Sequence, residues 1–212
     1  MLGLGASIVG GVPTMVRAAG EALFIDVSGV APGSLPDGFT VARTGQGAPA
    51  AWAVQEDASV LSRRVISQTS TDRTDYRFPL AIYEKLSVMD LDVKVYFKAV
   101  GGSVDRAGGI AVRLVDPNNY YVVRANALED NVNFYHVVEG TRRQIRGAST
   151  KVTSDVWHTL GITAERQEFT ISFDGKSLLS VQDRTFTNAG KVALWIKADS
   201  VTSFALEIRT LP

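Results

Sequence analysis

The chain has 212 residues, enough for one domain with a sizeable core, and 45% of them are hydrophobic, which excludes a disordered or fibrous protein. Lysine plus arginine and aspartate plus glutamate number 22 each, so no net field attracts nucleic acid. The absence of cysteine excludes disulfides, thiolate catalysis and Cys-ligated zinc.

The first sixteen residues, MLGLGASIVGGVPTMV, have no charged side chain. They are similar to the apolar part of an export signal, although no Lys or Arg precedes them. The run is shorter than the about 20 apolar residues of a membrane-spanning helix. Residues 1–16 fit a cleaved signal, an ordered tail held against a partner or a membrane surface, or an artefact of the gene start. We predict an apolar N-terminal segment over residues 1–22 and a single β-sandwich domain over residues 23–212.

Short runs of alternating or β-branched residues recur from Leu23 onward, without a convincing amphipathic helix of three turns. This pattern is typical of an all-β protein. The Pro- and Gly-rich residues 30–50 suggest an excursion between early strands, either ordered or mobile. Residues 91–99, LDVKVYFKA, alternate apolar and polar side chains, which predicts a strand with one face in the core.

Two successive hairpins are predicted in the middle of the chain. Residues 110–114 alternate as a strand, and residues 116–119, Asp-Pro-Asn-Asn, form a turn. In the following strand Tyr121 shares core parity with Val123 and Ala125. The opposite face then carries Tyr120, Val122, Arg124 and Asn126. Further strands are expected over residues 132–139 and 142–145, with a turn at Glu139-Gly140.

The C-terminal third continues the strand pattern. Residues 157–164 and 169–173 form an antiparallel pair, and Asp174-Gly175 is a strong hairpin signal. In residues 192–197, Trp195 and Lys197 fall on the face opposite to the apolar positions, and residues 204–208 form the last strand. About a dozen strands without a helix favour a two-sheet antiparallel β-sandwich or jelly roll.

The order of the motifs resembles the concanavalin A-like lectin/glucanase superfamily, in particular the laminin-G-like bacterial domains related to the keto-disaccharide hydrolase family. The resemblance is carried by DRAGGIAVRLVDPNNYYVVRAN, WHTLGITAE, FTISFDGKSLLSVQD and GKVALWIKADSVTSF, and it covers residues 24–210. It implies a concanavalin A-like jelly roll with two curved sheets, of which the concave one often carries ligands.

Catalysis is not expected. A retaining glycosidase needs two carboxyl groups about 5 Å apart. Glu129 and Asp130 are adjacent, so on a strand they would point to opposite faces, and their neighbours resemble a loop. We therefore predict a non-enzyme and keep a sugar hydrolase as the least favoured reading.

One face combines aromatic and polar side chains that can stack on sugar rings and bond to hydroxyl groups. The candidate ligand-binding residues are Arg113, Tyr120, Arg124, Asn126, Trp195 and Lys197. They favour an extracytoplasmic module, periplasmic or secreted, that binds a glycan. The alternative is a structural accessory subunit of a membrane-associated protein assembly that contacts its partners through the sandwich and the apolar tail.

No cofactor is expected, with calcium as the one possible exception. The secondary candidates for a calcium site are Asp116, Asn118, Asp130 and Asn131. A hard cation takes six to eight oxygen ligands, and these four scattered residues do not define such a cage. Asp and Asn are also common turn residues, which we regard as their more natural role here.

Overall fold

The structure is a computed structural model that describes residues 22–211. The apolar segment predicted for residues 1–22 therefore lies outside the described residues, apart from Ala22. The first strands are β1 (Ala22–Phe24), β2 (Phe39–Gly45), β3 (Trp52–Glu56), β4 (Arg64–Gln68), β5 (Arg77–Val88), β6 (Leu91–Gly101), β7 (Ala107–Asp116) and β8 (Asn119–Asn126). The others are β9 (Asn131–Val138), β10 (Thr141–Ser149), β11 (His158–Glu165), β12 (Glu168–Phe173), β13 (Lys176–Gln182), β14 (Gly190–Trp195) and β15 (Val201–Thr210).

These strands form two antiparallel sheets. The eight-stranded sheet has the order β13-β12-β11-β6-β15-β4-β3, with β1 also beside β15, and the seven-stranded sheet has the order β10-β9-β8-β7-β14-β5-β2. The predicted two-sheet antiparallel sandwich of the concanavalin A-like jelly-roll type is confirmed. Residues 22–211 include no helix with the length and hydropathy needed to cross a bilayer.

The main core lies between the two sheets. Alternate residues of β6, including Leu91 and Phe97, line this core together with Phe169 and Ile171 of β12 in the same sheet and with residues of the other sheet such as Tyr121. These side chains are fully buried, and each apolar side chain removed from water contributes about 1.5–3 kcal/mol. The alternation predicted for residues 91–99 therefore describes the core face correctly.

Several turns also follow the sequence. Glu139-Gly140 and Asp174-Gly175 have positive φ at both positions, as tight two-residue hairpin turns require. Residues 30–50 differ from the expectation of an excursion, because they contain β2, which pairs with β5 along its whole length. The last strand, β15, lies between β6 and β4 in the interior of its sheet.

The seven-stranded sheet carries a second apolar cluster on its outer face. Its members include Phe78, Leu80, Val122, Tyr135 and Trp195. An antiparallel sheet commonly turns a polar face to water, so a strand such as β8, buried on both faces, is unusual. The cluster therefore forms a second small core.

Strong curvature of this sheet brings its distant strands together over the outer face. Four strands separate β10 from β5, which corresponds to about 24 Å in a flat sheet. The guanidinium of Arg142 nevertheless lies 4.6 Å from the centre of the Phe78 ring. Tyr76 donates a hydrogen bond to the carbonyl of Gly140 at 2.8 Å, and Thr44 donates one to the carbonyl of Pro117 at 2.5 Å. The outer face is thus concave and largely closed.

Candidate functional site

Four of the candidate ligand-binding residues share the concave face, as their parity predicts. Tyr120, Arg124 and Asn126 alternate along β8, and Trp195 ends β14 two strands away. Lys197 follows β14 directly and reaches the same end of the face as Arg124, because both contact the carboxylate of Asp105. The structure therefore brings five of the six residues together.

Arg113 does not share this face, so the expectation for its position is wrong. The register between β7 and β8 shifts after Val112, and Arg113 has a φ of 48°. Its buried guanidinium donates hydrogen bonds to the carbonyls of Met89, Phe186 and Arg166, and it stacks over a core phenylalanine, Phe169. Arg113 ties loops together at the end of the main core.

The aromatic half of the face is packed against itself. The indole nitrogen of Trp195 donates a hydrogen bond to the Tyr120 hydroxyl at 3.2 Å, and that hydroxyl also bonds to Thr44 Oγ1 at 2.7 Å. Burial raises the pKa of Tyr120 to about 12. Neither ring is exposed to solvent. Tyr120 and Trp195 therefore fill the concave face and offer no open stacking platform.

The polar half of the face holds a set of charged and amide side chains, which we name the polar cluster. Its members are Asp75, Asp105, Arg124, Asn126, Glu129 and Lys197. Lys197 Nζ lies 2.6 Å from Asp75 and 3.3 Å from Asp105. Arg124 Nη2 contacts Glu129 at 2.7 Å, and its Nη1 lies 3.7 Å from Asp105. The polar cluster is thus a chain of alternating charges.

Asp105 is the member that sequence reasoning missed, and the loop before β7 positions it. Asp199 accepts hydrogen bonds from the backbone N–H groups of Ser103, Val104 and Asp105 at 2.8–3.2 Å. Gly102 has a φ of 123°, and a Cβ there would lie 1.9 Å from the carbonyl oxygen of Asp105. Glycine and the Asp199 carboxylate together fix the backbone that carries Asp105.

Several buried polar atoms of the polar cluster lack a hydrogen-bond partner within residues 22–211. They are Nδ2 of Asn126 and, apart from their ion pairs at 3.3 and 3.7 Å, both carboxylate oxygens of Asp105 and Nη1 of Arg124. Asp105 and Asn126 are fully buried, and Arg124 is 3% exposed. Unpartnered buried polar atoms are rare and call for water or a ligand. Because these atoms are buried, the hydroxyl groups of a polar ligand can bond to them only when covering side chains move aside.

Burial and neighbouring charges shift the pKa values of the three carboxyl groups of the cluster in different directions. Burial raises the pKa of Asp105, although the nearby cations Arg124 and Lys197 oppose this. Burial would also raise the pKa of Glu129, but hydrogen bonds from Arg124 and Asn131 outweigh it and lower that pKa. The pKa of Asp75 is lowered by its hydrogen bond and charge attraction to Lys197. Glu129 and Asp75 are therefore ionised counterions of the two cations.

Glu129 and Asp130 do not form a carboxylate pair. Glu129 turns into the polar cluster toward Arg124. Asp130 instead accepts hydrogen bonds from Lys151 at 2.9 Å and from the Val152 N–H at 3.0 Å. The geometry of a two-carboxylate glycosidase is therefore not formed by these two residues.

The secondary calcium candidates do not converge on one position. Asp116 and Asn118 lie at the β7–β8 turn, whereas Asp130 and Asn131 lie at the other end of β8. Asp116 accepts hydrogen bonds from the Asn118 N–H and the Asn119 side chain, as a turn residue does. Within the described part of the chain, no group of three or more His, Cys, Asp or Glu side chains is placed to hold a metal ion.

Comparison with known proteins identifies similar folds but no family for this chain. No protein-family profile and no curated protein sequence matches it. It is similar to the carbohydrate binding module CBM66 from Bacillus subtilis, with a TM-score of 0.61, 20% identity and coverage of 79% of this chain and 91% of that one.

Two further solved structures have the same fold. The exoplasmic/lumenal domain of VIP36, in its Ca2+/mannose-bound form, gives a TM-score of 0.59 at 12% identity and covers 90% of this chain and 89% of its own. The other is domain 4 of AbnA, an extracellular arabinanase from Geobacillus stearothermophilus, in complex with arabinotriose. It gives a TM-score of 0.51 at 12% identity, with coverage of 82% of both chains. These likenesses show the jelly-roll fold, while the resemblance to the concanavalin A-like superfamily and to its narrower laminin-G-like family stays a prediction.

Proposed function

We propose that this chain is a non-catalytic glycan-binding module and that the polar cluster is its binding site. The observation that carries the proposal is the group of buried polar atoms of Asp105, Arg124 and Asn126 that make no hydrogen bond within residues 22–211, at one end of a concave sheet. A carboxylate acceptor beside guanidinium and amide donors is the combination that pairs with neighbouring sugar hydroxyls. Tyr135 adds an aromatic ring with its hydroxyl 3.0 Å from Arg124 Nη2.

The fold likeness agrees with this proposal without carrying it, since similar structures include a carbohydrate binding module and a mannose-bound domain. The closed aromatic half restricts the ligand to the polar half of the face. Access runs past Glu129 and Asp75, whose side chains are 46% and 74% exposed. A short saccharide or a chain end suits this entry better than a long groove-bound polysaccharide.

The direct test is a glycan array followed by calorimetric titration of the full chain. We expect Lys197→Gln to weaken binding at least about tenfold, as the loss of one charge-assisted hydrogen bond implies. Lys94→Gln is the matched control, because Lys94 lies on the outer face of the eight-stranded sheet. The proposal is wrong if a folded protein binds no glycan, or if both substitutions have the same effect.

We further propose that the module acts outside the cytoplasm, as the signal-like composition of residues 1–16 suggests. Fractionation of the native source tests this location. Recovery of the protein with cytoplasmic markers alone would contradict it.

A further inference from the structure

The side chain of Arg142 covers the aromatic ring that borders the polar cluster. The hydroxyl of Tyr135 lies 3.0 Å from Arg124 Nη2 and 3.0 Å from Asn133 Nδ2, so this ring stands at the inner edge of the cluster. The guanidinium carbon of Arg142 lies 4.6 Å from the centre of the same ring, and Tyr135 is only 6% exposed. A sugar ring that stacks on this face of Tyr135 has to displace Arg142.

Aromatic rings alone hold the Arg142 guanidinium. Besides the Tyr135 ring, it lies over Phe78, at 4.6 Å from the ring centre. In the described part of the chain it forms neither an ion pair nor a hydrogen bond, and its Nη1 is buried. Arg124 and Lys197, by contrast, are both paired with carboxylates of the polar cluster. Arg142 therefore differs from these two cations in having no carboxylate to lose.

This position deprives Arg142 of part of its hydration. Burial lowers the pKa of Arg142, because the charged guanidinium is solvated less well there than in water. A buried N–H group without an acceptor is also unfavourable, and a swing into water supplies the missing hydrogen bonds. Both effects offset the cation–π attraction to the rings, so the side chain is held only weakly over them.

The backbone of β10 allows the side chain to swing out. Arg142 is the second residue of this edge strand, and the residue is partly exposed. Its backbone N–H donates a hydrogen bond to the Tyr76 hydroxyl at 2.7 Å, a contact that does not involve the side chain. The guanidinium can therefore reach water by a change of rotamer while β10 stays in place.

We propose that Arg142 is a gate over the Tyr135 ring, and that a neutral sugar ring takes the place of its guanidinium when a glycan binds. This rests on the proposed glycan-binding function. The C–H face of a sugar can stack on the aromatic ring as the planar guanidinium does. Its hydroxyl groups then lie beside the polar cluster, because the Tyr135 hydroxyl contacts Arg124. The exchange leaves every ion pair of the polar cluster intact.

The gate is tested by calorimetric titration of the full chain with the glycan that binds most tightly on the array. Arg142→Ala removes the group that the sugar has to displace, so we expect this variant to bind about threefold to tenfold more tightly than the wild type. Arg143→Ala is the matched control and should leave the affinity unchanged, because Arg143 is exposed and alternates to the other face of β10. Weaker or unchanged binding by folded Arg142→Ala, or equal tightening by both variants, would overturn the gate.

The wild-type protein gives a second readout by nuclear magnetic resonance. In the free protein, ring currents of Phe78 and Tyr135 should shift the side-chain protons of Arg142 upfield. We expect this upfield shift to disappear when the glycan binds, because the side chain moves into water. An upfield shift that persists in the bound state overturns the gate and leaves the glycan-binding proposal intact. Binding of no glycan on the array by a folded protein overturns both.

Discussion

Removal of the Asp199 carboxylate should release the loop that positions Asp105. The carboxylate accepts three backbone hydrogen bonds and one from the Ser103 hydroxyl, all within 2.8–3.2 Å. Hydrogen bonds to a charged acceptor contribute about 1.5–3 kcal/mol each, and the contributions are not additive. We expect Asp199→Ala to lower the free energy of unfolding by about 3–5 kcal/mol at pH 7, within the range for loss of a buried charged partner.

The decrease in the free energy of unfolding caused by Asp199→Ala should become smaller at low pH. Burial would raise the pKa of Asp199, but its backbone hydrogen bonds outweigh burial and lower that pKa. The carboxylate of Asp199 therefore makes its full contribution to the free energy of unfolding above the pKa of an aspartate in the unfolded chain, about 4. This contribution is lost as the pH falls through the lower pKa of Asp199 in the folded state. The difference between the wild type and Asp199→Ala should shrink below pH 4.

Urea denaturation followed by far-ultraviolet circular dichroism measures both effects. Glu56→Ala is the control, because Glu56 is exposed and forms an ion pair with Arg64, and such surface pairs contribute about 0–1 kcal/mol. A loss at Asp199 no larger than that of the control, or one that stays constant from pH 7 to pH 3, would refute the role assigned to this carboxylate.

Three further predictions concern the loop that carries Asp105 and the buried aromatic residues of the seven-stranded sheet. Gly102→Ala should destabilise the fold by about 2 kcal/mol or more in urea denaturation, because its Cβ would overlap the Asp105 carbonyl; an unchanged midpoint would contradict this. Trp195→Ala should lower the free energy of unfolding by about 3–5 kcal/mol and reduce the near-ultraviolet circular dichroism, because the indole fills the second core. A decrease below about 1 kcal/mol would contradict this and would indicate an open face. Burial raises the pKa values of Tyr120 and Tyr121 to about 12. Because tyrosines of the unfolded chain ionise at about pH 10, the free energy of unfolding should fall as the pH rises above that value. A free energy of unfolding that stays constant up to about pH 11 would contradict this.

Strand parity explains what the sequence predicts correctly. Side chains alternate along a strand, so Tyr120, Arg124 and Asn126 had to share a face once Tyr121 was placed in the core. The same argument placed Trp195. It failed at Arg113, because a change of register in β7 interrupts the alternation and positive φ redirects the side chain.

The closure of the concave face and the role of Asp105 could not be predicted in this way. Thr44 and Pro117 are 73 positions apart in the chain, and no local pattern shows that their strands meet over a curved sheet. Asp105 lies in a loop without periodicity, between Gly102 and Gly108. Its signal would have been the pairing with Asp199 and Lys197, which exists only after the sheet forms.

The most direct test of the polar cluster as a glycan site is a nuclear magnetic resonance titration of the full chain with the glycan that binds most tightly on the array. We expect the largest shifts at the Nε–H of Arg124 and the side-chain amide of Asn133, which contact Tyr135, and at the side-chain amide of Asn126 on the same face of β8. Shifts confined to the outer face of the eight-stranded sheet, for example around the exposed Tyr96, would contradict the site proposed at this cluster.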